Sequence, residues 1–344
     1  MHRPSIADLA KESGVSVSTV NRLLHGSAKV RQDTIERITQ AAERLGFYGL
    51  GALRGREKDA RPRYRMGFLL QQSSREIYQQ FAQGIKEASA LESDCRVNAD
   101  VRFVDVLTPD SIAAELKELG KTCNALAVVC ADHPQISQAI YELREKNIPV
   151  IAYITDLSAS ARAGYVGTDN WKLGRTAAYL IANMVQTPGT IATFIGNHRY
   201  QCQDISDASF RSYIREHAAE MTVLDPLLTN EDAESAYLQV RQLLDGTADL
   251  VGLYVIGGGI SGVLRALREV PKPRRQNIRI VCRDVGSQAR SGLNEGLISA
   301  ALYHPIEQIS GELIKTLVEA LKQKGRAPMI QRIVPFGILT PENV

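Results

Sequence analysis

The sequence predicts an all-α head of three helices followed by an α/β body whose strands lie in parallel sheets. Three observations carry this. Up to Leu45, apolar residues recur at helical spacing and are interrupted by glycines. From residue 66 onward, short β-branched runs alternate with amphipathic helical segments, the pattern of strands whose crossovers cover both faces of a sheet. The charge also changes sign: residues 1–65 hold 13 Lys and Arg against 7 Asp and Glu, whereas the remainder holds 28 against 31. A small basic head on a mildly acidic body points to a polyanion as the partner of the head.

With 344 residues, 44% apolar and 23% charged, the chain has the size for two or three globular domains. No bias points to disorder, collagen or a coiled coil. The uncharged stretch Val251–Leu264 is fourteen residues long, short of the roughly 18–20 that span a bilayer. Asp8, Lys11 and Glu12 come too early for a secretory signal, so a cytoplasmic location without a membrane segment is expected. The five cysteines (Cys95, Cys123, Cys130, Cys202, Cys282) are odd in number and lack Cys-x-x-Cys spacing. They fit a reducing compartment and oppose a disulfide framework or a zinc ribbon. The six histidines form no i, i+4 pair, and neither a metal nor a cofactor is expected.

In the head, Ser5 precedes Ile6, Ala7, Leu9 and Ala10 with Asp8 in the first turn, the pattern of an N-capped helix. Gly14 ends it, where a sharp turn needs positive φ. Ser16 caps a second helix reaching Leu24, with Val20, Leu23 and Leu24 buried and Val17, Ser18, Asn21 and Arg22 facing outward. Gly26 closes it, and a third helix is expected from about Gln32 to Leu45. Helix, Gly-Val-Ser turn and helix make a helix-turn-helix unit whose second helix fits the DNA major groove. Arg22 can offer its fork to guanine O6 and N7, and Val17 its methyls to thymine. Ser5, Asn21, Lys29 and Arg31 suit phosphate contacts.

The run from Ile6 to Leu24, IADLAKESGVSVSTVNRLL, followed by Leu45-Gly46-Phe47, resembles the headpiece of the LacI/GalR family of bacterial transcriptional regulators. The resemblance implies a DNA-binding head over residues 1–48 and base-reading positions at Ile6, Val17, Ser18 and Arg22. Asn21 stands where the family usually has serine, and Arg31 where a serine usually caps the third helix. Residues 49–65 combine glycines, a proline and many charges, and as an isolated segment should be disordered. The resemblance implies a hinge helix formed on operator DNA, with a leucine wedged into the minor groove. Leu53, followed by Arg54, is the wedge candidate of a shortened hinge, and a plain flexible tether is the alternative.

In the body, strands are expected at Gly67–Leu70, Val101–Val106, Ala125–Cys130 and Val150–Ile154, then at Ile191–Ile195, Thr222–Leu227, Leu250–Val255 and Ile278–Val281. Helical periodicity marks Tyr78–Leu91, Ser111–Leu119, Ile136–Glu145 and Leu173–Val185. This body, residues 66–344, resembles the two-lobed, periplasmic-binding-protein-like (type 1) sugar-binding domain, most strongly at Gly164-Tyr-Val-Gly-Thr-Asp-Asn-Trp-Lys-Leu-Gly174. The resemblance implies one lobe at about 66–162 and 290–325, a second at about 163–289 and 326–344, and a homodimer or a tetramer. It also implies a small ligand in the cleft at the carboxyl ends of the strands. Candidate contacts at those ends are Gln72, Tyr78, Asp132, Asp156, Arg162, Asn197, Asp284 and His304. Planar polar groups with an aromatic face suit a sugar, sugar acid or polyol. The resemblance favours Arg162 and Asp284, while Ser206 stands where a sugar-binding arginine is common.

Gly257-Gly258-Gly259-Ile260-Ser261-Gly262 fits G-x-G-x-x-G after a strand, with Asp284 22 residues beyond the last glycine. This opens an alternative, an NAD-dependent oxidoreductase with a dinucleotide on that turn. Its mid-chain position opposes it, and no nucleophile elbow, P-loop or H-E-x-x-H run is present. The expected function is therefore a non-enzymatic, ligand-responsive repressor that binds operator DNA and governs carbohydrate or polyol catabolism genes.

Overall fold

The structure is a computed structural model that describes residues 3–26, 30–283, 285–323 and 328–344. The chain divides into two compact units, Met1–Tyr64 with Ser93–Arg96, and the remainder.

The first unit holds α1 (Ile6–Ser13), α2 (Val17–His25), α3 (Gln32–Leu45) and α4 (Leu50–Ala60). Ser5 and Asp8 close a reciprocal capping box: the Asp8 N–H donates to the Ser5 hydroxyl at 3.2 Å and the Ser5 N–H to the Asp8 carboxylate at 2.9 Å. Ser16 caps α2, whereas Arg31 begins α3 with no side-chain cap. Gly14, at φ 66°, makes the left-handed turn that lets α2 cross α1. Leu9, Val20, Leu23, Ile35, Ile38, Phe47 and Leu53 form one buried core.

The stretch expected as a disordered linker is thus helical, and α4 is part of this unit. Its glycines weaken helix propensity, but one anchor offsets that: Leu53 is 0% exposed among the residues of α1 to α3. Tertiary burial has overridden local preference. The minor-groove wedge candidate is here a core residue.

The second unit is a pair of α/β lobes. Its first stretch runs β1 (Arg63–Gln71), α5 (Glu76–Leu91), β2 (Arg96–Val104), α6 (Pro109–Gly120), β3 (Ala125–Val128), α7 (Pro134–Glu145), β4 (Val150–Tyr153) and β5 (Gly164–Thr168). Then come α8 (Asn170–Met184), β6 (Thr190–Ile195), α9 (Gln201–His217), β7 (Thr222–Val223), β8 (Leu227–Leu228), α10 (Ala233–Gly246) and β9 (Leu250–Val255). The chain ends with α11 (Ile260–Arg268), α12 (Lys272–Arg275), β10 (Arg279–Arg283), α13 (Ser287–Asn294), β11 (Ala300–Tyr303), α14 (Ile306–Lys322), β12 (Ile330–Val334) and β13 (Gly337–Leu339).

One sheet has the order β12-β5-β4-β3-β1-β2 and the other β13-β11-β10-β9-β6-β7, with β8 paired to β6. The β3, β4 and β5 neighbours pair in parallel, as do β6, β9, β10 and β11, while β13 returns antiparallel to β11. The chain therefore passes between sheets three times: after Thr168, between Tyr303 and Ile306, and between Val334 and Gly337. The expected lobe limits near 162, 290 and 325 each fall short of these points. β5 carries two glycines and β12 two exposed polar residues, so neither shows the apolar run of a buried strand.

Helices cover both faces of the second sheet with separate apolar clusters, one under α10, α11 and α13 and the other under α8 and α9. The α8–α9 contact depends on Gly174, where a Cβ would lie 2.0 Å from the Ser206 carbonyl and 2.1 Å from the Ser209 hydroxyl. Gly174→Ala is expected to destabilise the body by about 1–3 kcal/mol, read as a lower urea midpoint. Leu53→Ala should cost the head about 2–5 kcal/mol. Hydrogen exchange of the full chain checks it: protection should fall throughout α1 to α4, not in α4 alone.

Candidate functional site

Two regions gather the polar groups that packing does not require. On α2, Val17, Ser18 and Arg22 are exposed, with Val17 at 45%, and Asn21 is half-buried beside them. Residues 17, 18, 21 and 22 share one helix face. The Arg22 Nε donates to the Ser18 carbonyl at 3.3 Å, one turn back on the same helix. Ile6 is half-buried and Arg31 exposed. The Ser5 hydroxyl is engaged with Asp8 at 2.6 Å, and Arg54 is paired with Glu43 at 2.9 Å. Lys29 lies outside the described residues.

The second region is the cleft between the lobes, at the carboxyl ends of β1, β3, β4, β6 and β9. Arg75, Tyr78, Phe81 and Thr155 line it from the first lobe, Tyr200, Gln203, Glu231, Gly257 and Gly258 from the second, with Arg283 and His304 at its floor. Of the sequence candidates among the described residues, only Tyr78 and His304 are in this lining. Gln72 stands behind it, its side-chain oxygen accepting from Arg75 at 3.2 Å.

Charge is compensated across the cleft. The Arg75 Nη1 reaches the Glu231 Oε2 at 2.5 Å, and Gln203 and the Gly258 N–H donate to the same carboxylate at 2.7 and 2.9 Å. Gln71, at the end of β1, accepts from the Tyr78 hydroxyl at 2.9 Å and from Tyr200 of the other lobe at 3.1 Å. Beneath them, Arg283 donates to Asn170 and to His304, each at 3.0 Å. Among the described residues, five non-glycines have positive φ, and four of these (Gln72, Ile154, Asn230, Glu231) lie in loops around the cleft. Such clustering of costly backbone conformations marks functional loops.

The other candidates are engaged elsewhere. Arg162 forms a two-point ion pair with Asp156 at 2.7 and 3.0 Å and lines a separate pocket with Arg144, Ile148 and Met329. The two saturate each other, so Arg162, which the resemblance favours, and Asp156 are not among the described residues of the cleft lining. Asp132 lies at an outer edge of the lobe junction, where its carboxylate accepts from Ser158 at 3.0 Å and Gln201 at 3.4 Å. Asn197 accepts from the Arg199 N–H at 2.9 Å, a loop-closing bond. Asp284 lies outside the described residues. Ser206 is buried and bonded to the Tyr254 hydroxyl at 2.8 Å, beneath the site.

The glycine run has its own explanation. Gly262 is where α10 meets α11, since a Cβ there would lie 1.8 Å from the Ala233 carbonyl. Gly259 adopts φ 108°, and Gly258 receives the Glu231 carboxylate. Packing and an internal acid account for the spacing that suggested a dinucleotide. Among the described residues, no group of three or more His, Cys, Asp or Glu could hold a metal ion, and no helix is long and apolar enough to cross a membrane.

Sequence reading missed Arg75, Tyr200, Gln203, Glu231 and Arg283. Glu231 follows β8, a strand of two residues that no periodicity can register. Arg283 is the last residue of β10, and a strand-end position is the signal that marks it in the sequence.

Residues 66–325 match the family described as periplasmic binding protein domain, and residues 5–49 match bacterial regulatory proteins, lacI family. Among curated proteins, none matches the chain. Among solved structures, GanP, a glucose-galactose binding protein from Geobacillus stearothermophilus, superposes with TM-score 0.74 at 18% identity, over 83% of this chain and 99% of that one. A carbohydrate transporter solute binding protein from Agrobacterium radiobacter, in complex with D-arabinose, gives 0.73 at 14%, over 82% and 95%. An ABC transporter solute binding protein from Agrobacterium vitis, bound with alpha-D-tagatopyranose, gives 0.72 at 18%, over 81% and 95%. At these identities the likeness is one of fold.

Burial, and then the Arg283 cation, hold the His304 imidazole neutral far below its ordinary pKa. As pH falls below about 6.5 the unfolded chain gains a proton that folded His304 refuses, so stability is lost toward acid at about 1.4 kcal/mol per pH unit. Urea midpoints of wild type and His304→Gln from about pH 6.5 to about pH 5 check this, and the variant should show the shallower slope whatever its absolute stability.

Proposed function

Given that the chain belongs to the periplasmic binding protein domain family and carries a lacI-family head, we propose that it is a sequence-specific repressor of carbohydrate or polyol catabolism genes, controlled by a small effector in the interlobe cleft. The observation that carries the DNA half is the outward face of α2, where Val17, Ser18 and Arg22 stand free of the head core. Arg22 reads guanine through two hydrogen bonds, and Val17 meets a thymine methyl. Asn21, Arg31, Lys29 and Ser5 hold phosphates and fix the register without specifying bases. Two heads on a two-fold axis read a palindrome, so the working form is a homodimer, in the cytoplasm.

The effector half is supported by a cleft that offers planar donors and acceptors beside Tyr78, Phe81 and Tyr200. Neighbours of the same fold carry monosaccharides. An effector alters operator affinity only by as much as it prefers one lobe arrangement over the other. Polar bonds that cross the cleft, such as Tyr200 to Gln71, are the groups whose exchange can supply that difference.

The test is selection of genomic fragments on the purified full chain, followed by titration against random duplex with and without a sugar, sugar-acid and polyol panel. A preferred palindrome whose affinity moves with one compound supports the reading; no preference for any duplex refutes it. Arg22→Ala should cost about 1–3 kcal/mol on the selected operator and relax preference at one base position per half-site, as measured by binding to single-position variants of the duplex.

A further inference from the structure

We propose that the cleft is built for an acidic ligand, a polyol bearing a carboxylate, whose anionic end takes the place Glu231 holds in the structure. The inference rests on the cleft being the effector site. The Glu231 side chain is 5% exposed and its carboxylate meets donors on both oxygens: Arg75 at 2.5 Å and the Gly258 N–H at 2.9 Å on Oε2, Gln203 at 2.7 Å on Oε1. A guanidinium, a backbone N–H at the start of a helix and a primary amide converging on one carboxylate make a carboxylate receptor.

The occupant of that receptor belongs to the chain, yet it is held on an unfavourable backbone. Glu231 has φ of 61°, a conformation that a residue with a Cβ other than asparagine or aspartate adopts at a cost. Leaving that conformation releases its cost, which favours exchange of Glu231 for an outside carboxylate. A neutral ligand has no carboxylate to offer the Arg75, Gln203 and Gly258 donors in exchange for that of Glu231. An acid exchanges one carboxylate for another on the same three donors.

A second observation points to the rest of the ligand. Gln71 is 1% exposed and its side-chain oxygen is taken by Tyr78 and Tyr200, but its amide nitrogen has no hydrogen-bond partner among the described residues. A buried donor flanked by two cleft-lining tyrosines asks for an acceptor, and the hydroxyl oxygens of a polyol supply it.

Glu231→Gly removes the carboxylate and suits the positive φ of that position. In the full-length variant, sodium acetate should raise the thermal midpoint by about 2 °C or more relative to sodium chloride at equal ionic strength, while wild type stays unmoved. Glycerate should act as acetate does, and glycerol should not. Adding Arg75→Gln should abolish the response. No acetate-specific shift, or glycerol matching glycerate, overturns the inference. Should the glycine variant fail to fold, Glu231→Asn carries the same test, since asparagine tolerates the left-handed region. A chain that selects its operator while E231G ignores acetate leaves the regulator reading standing; absence of any operator preference sinks that reading whatever acetate does.

Discussion

A carboxylate removed from water has to be surrounded by donors, and the interlobe cleft is arranged around meeting that demand at Glu231. Arg75 comes to it from one lobe, Gln203 and Gly258 from the other. Gln203 is itself oriented by accepting the Gly196 N–H at 2.6 Å. Gly258 is explained by the same group, because a Cβ there would lie 2.5 Å from the Glu231 Oε2, whereas at Gly257 it would first meet the Gly196 backbone nitrogen at 2.4 Å. A loop, a helix start and a cross-lobe ion pair thus share one electrostatic cause.

The head was nearly legible in the sequence because short helices announce their ends. Ser5, Ser16, Gly14 and Gly26 are caps whose chemistry acts within four residues, so no tertiary information is needed to place α1 and α2. The segment after Gly46 was not legible for the opposite reason. Its helix exists because Leu53 reaches a core assembled by three other elements, and glycine content says nothing about that.

In the body the long alternating pattern fixed the class of fold, whereas the cleft depended on contacts between residues more than a hundred positions apart. Arg75 and Glu231, or Gln71 and Tyr200, carry no mutual signal along the chain. Acids at strand ends were sound candidates in kind, but Asp156 shows how such a residue can be consumed locally, by an arginine six positions on. Separating a ligand contact from a loop brace requires knowing which partners are already in reach.

Arg283 draws together two of the three segments that join the lobes. Its guanidinium bonds Asn170, which begins the helix after the first passage, and His304, which lies in the second. Two joints bonded to the same planar group at the end of β10 are coupled, because a shift of either one strains the hydrogen bond to the other.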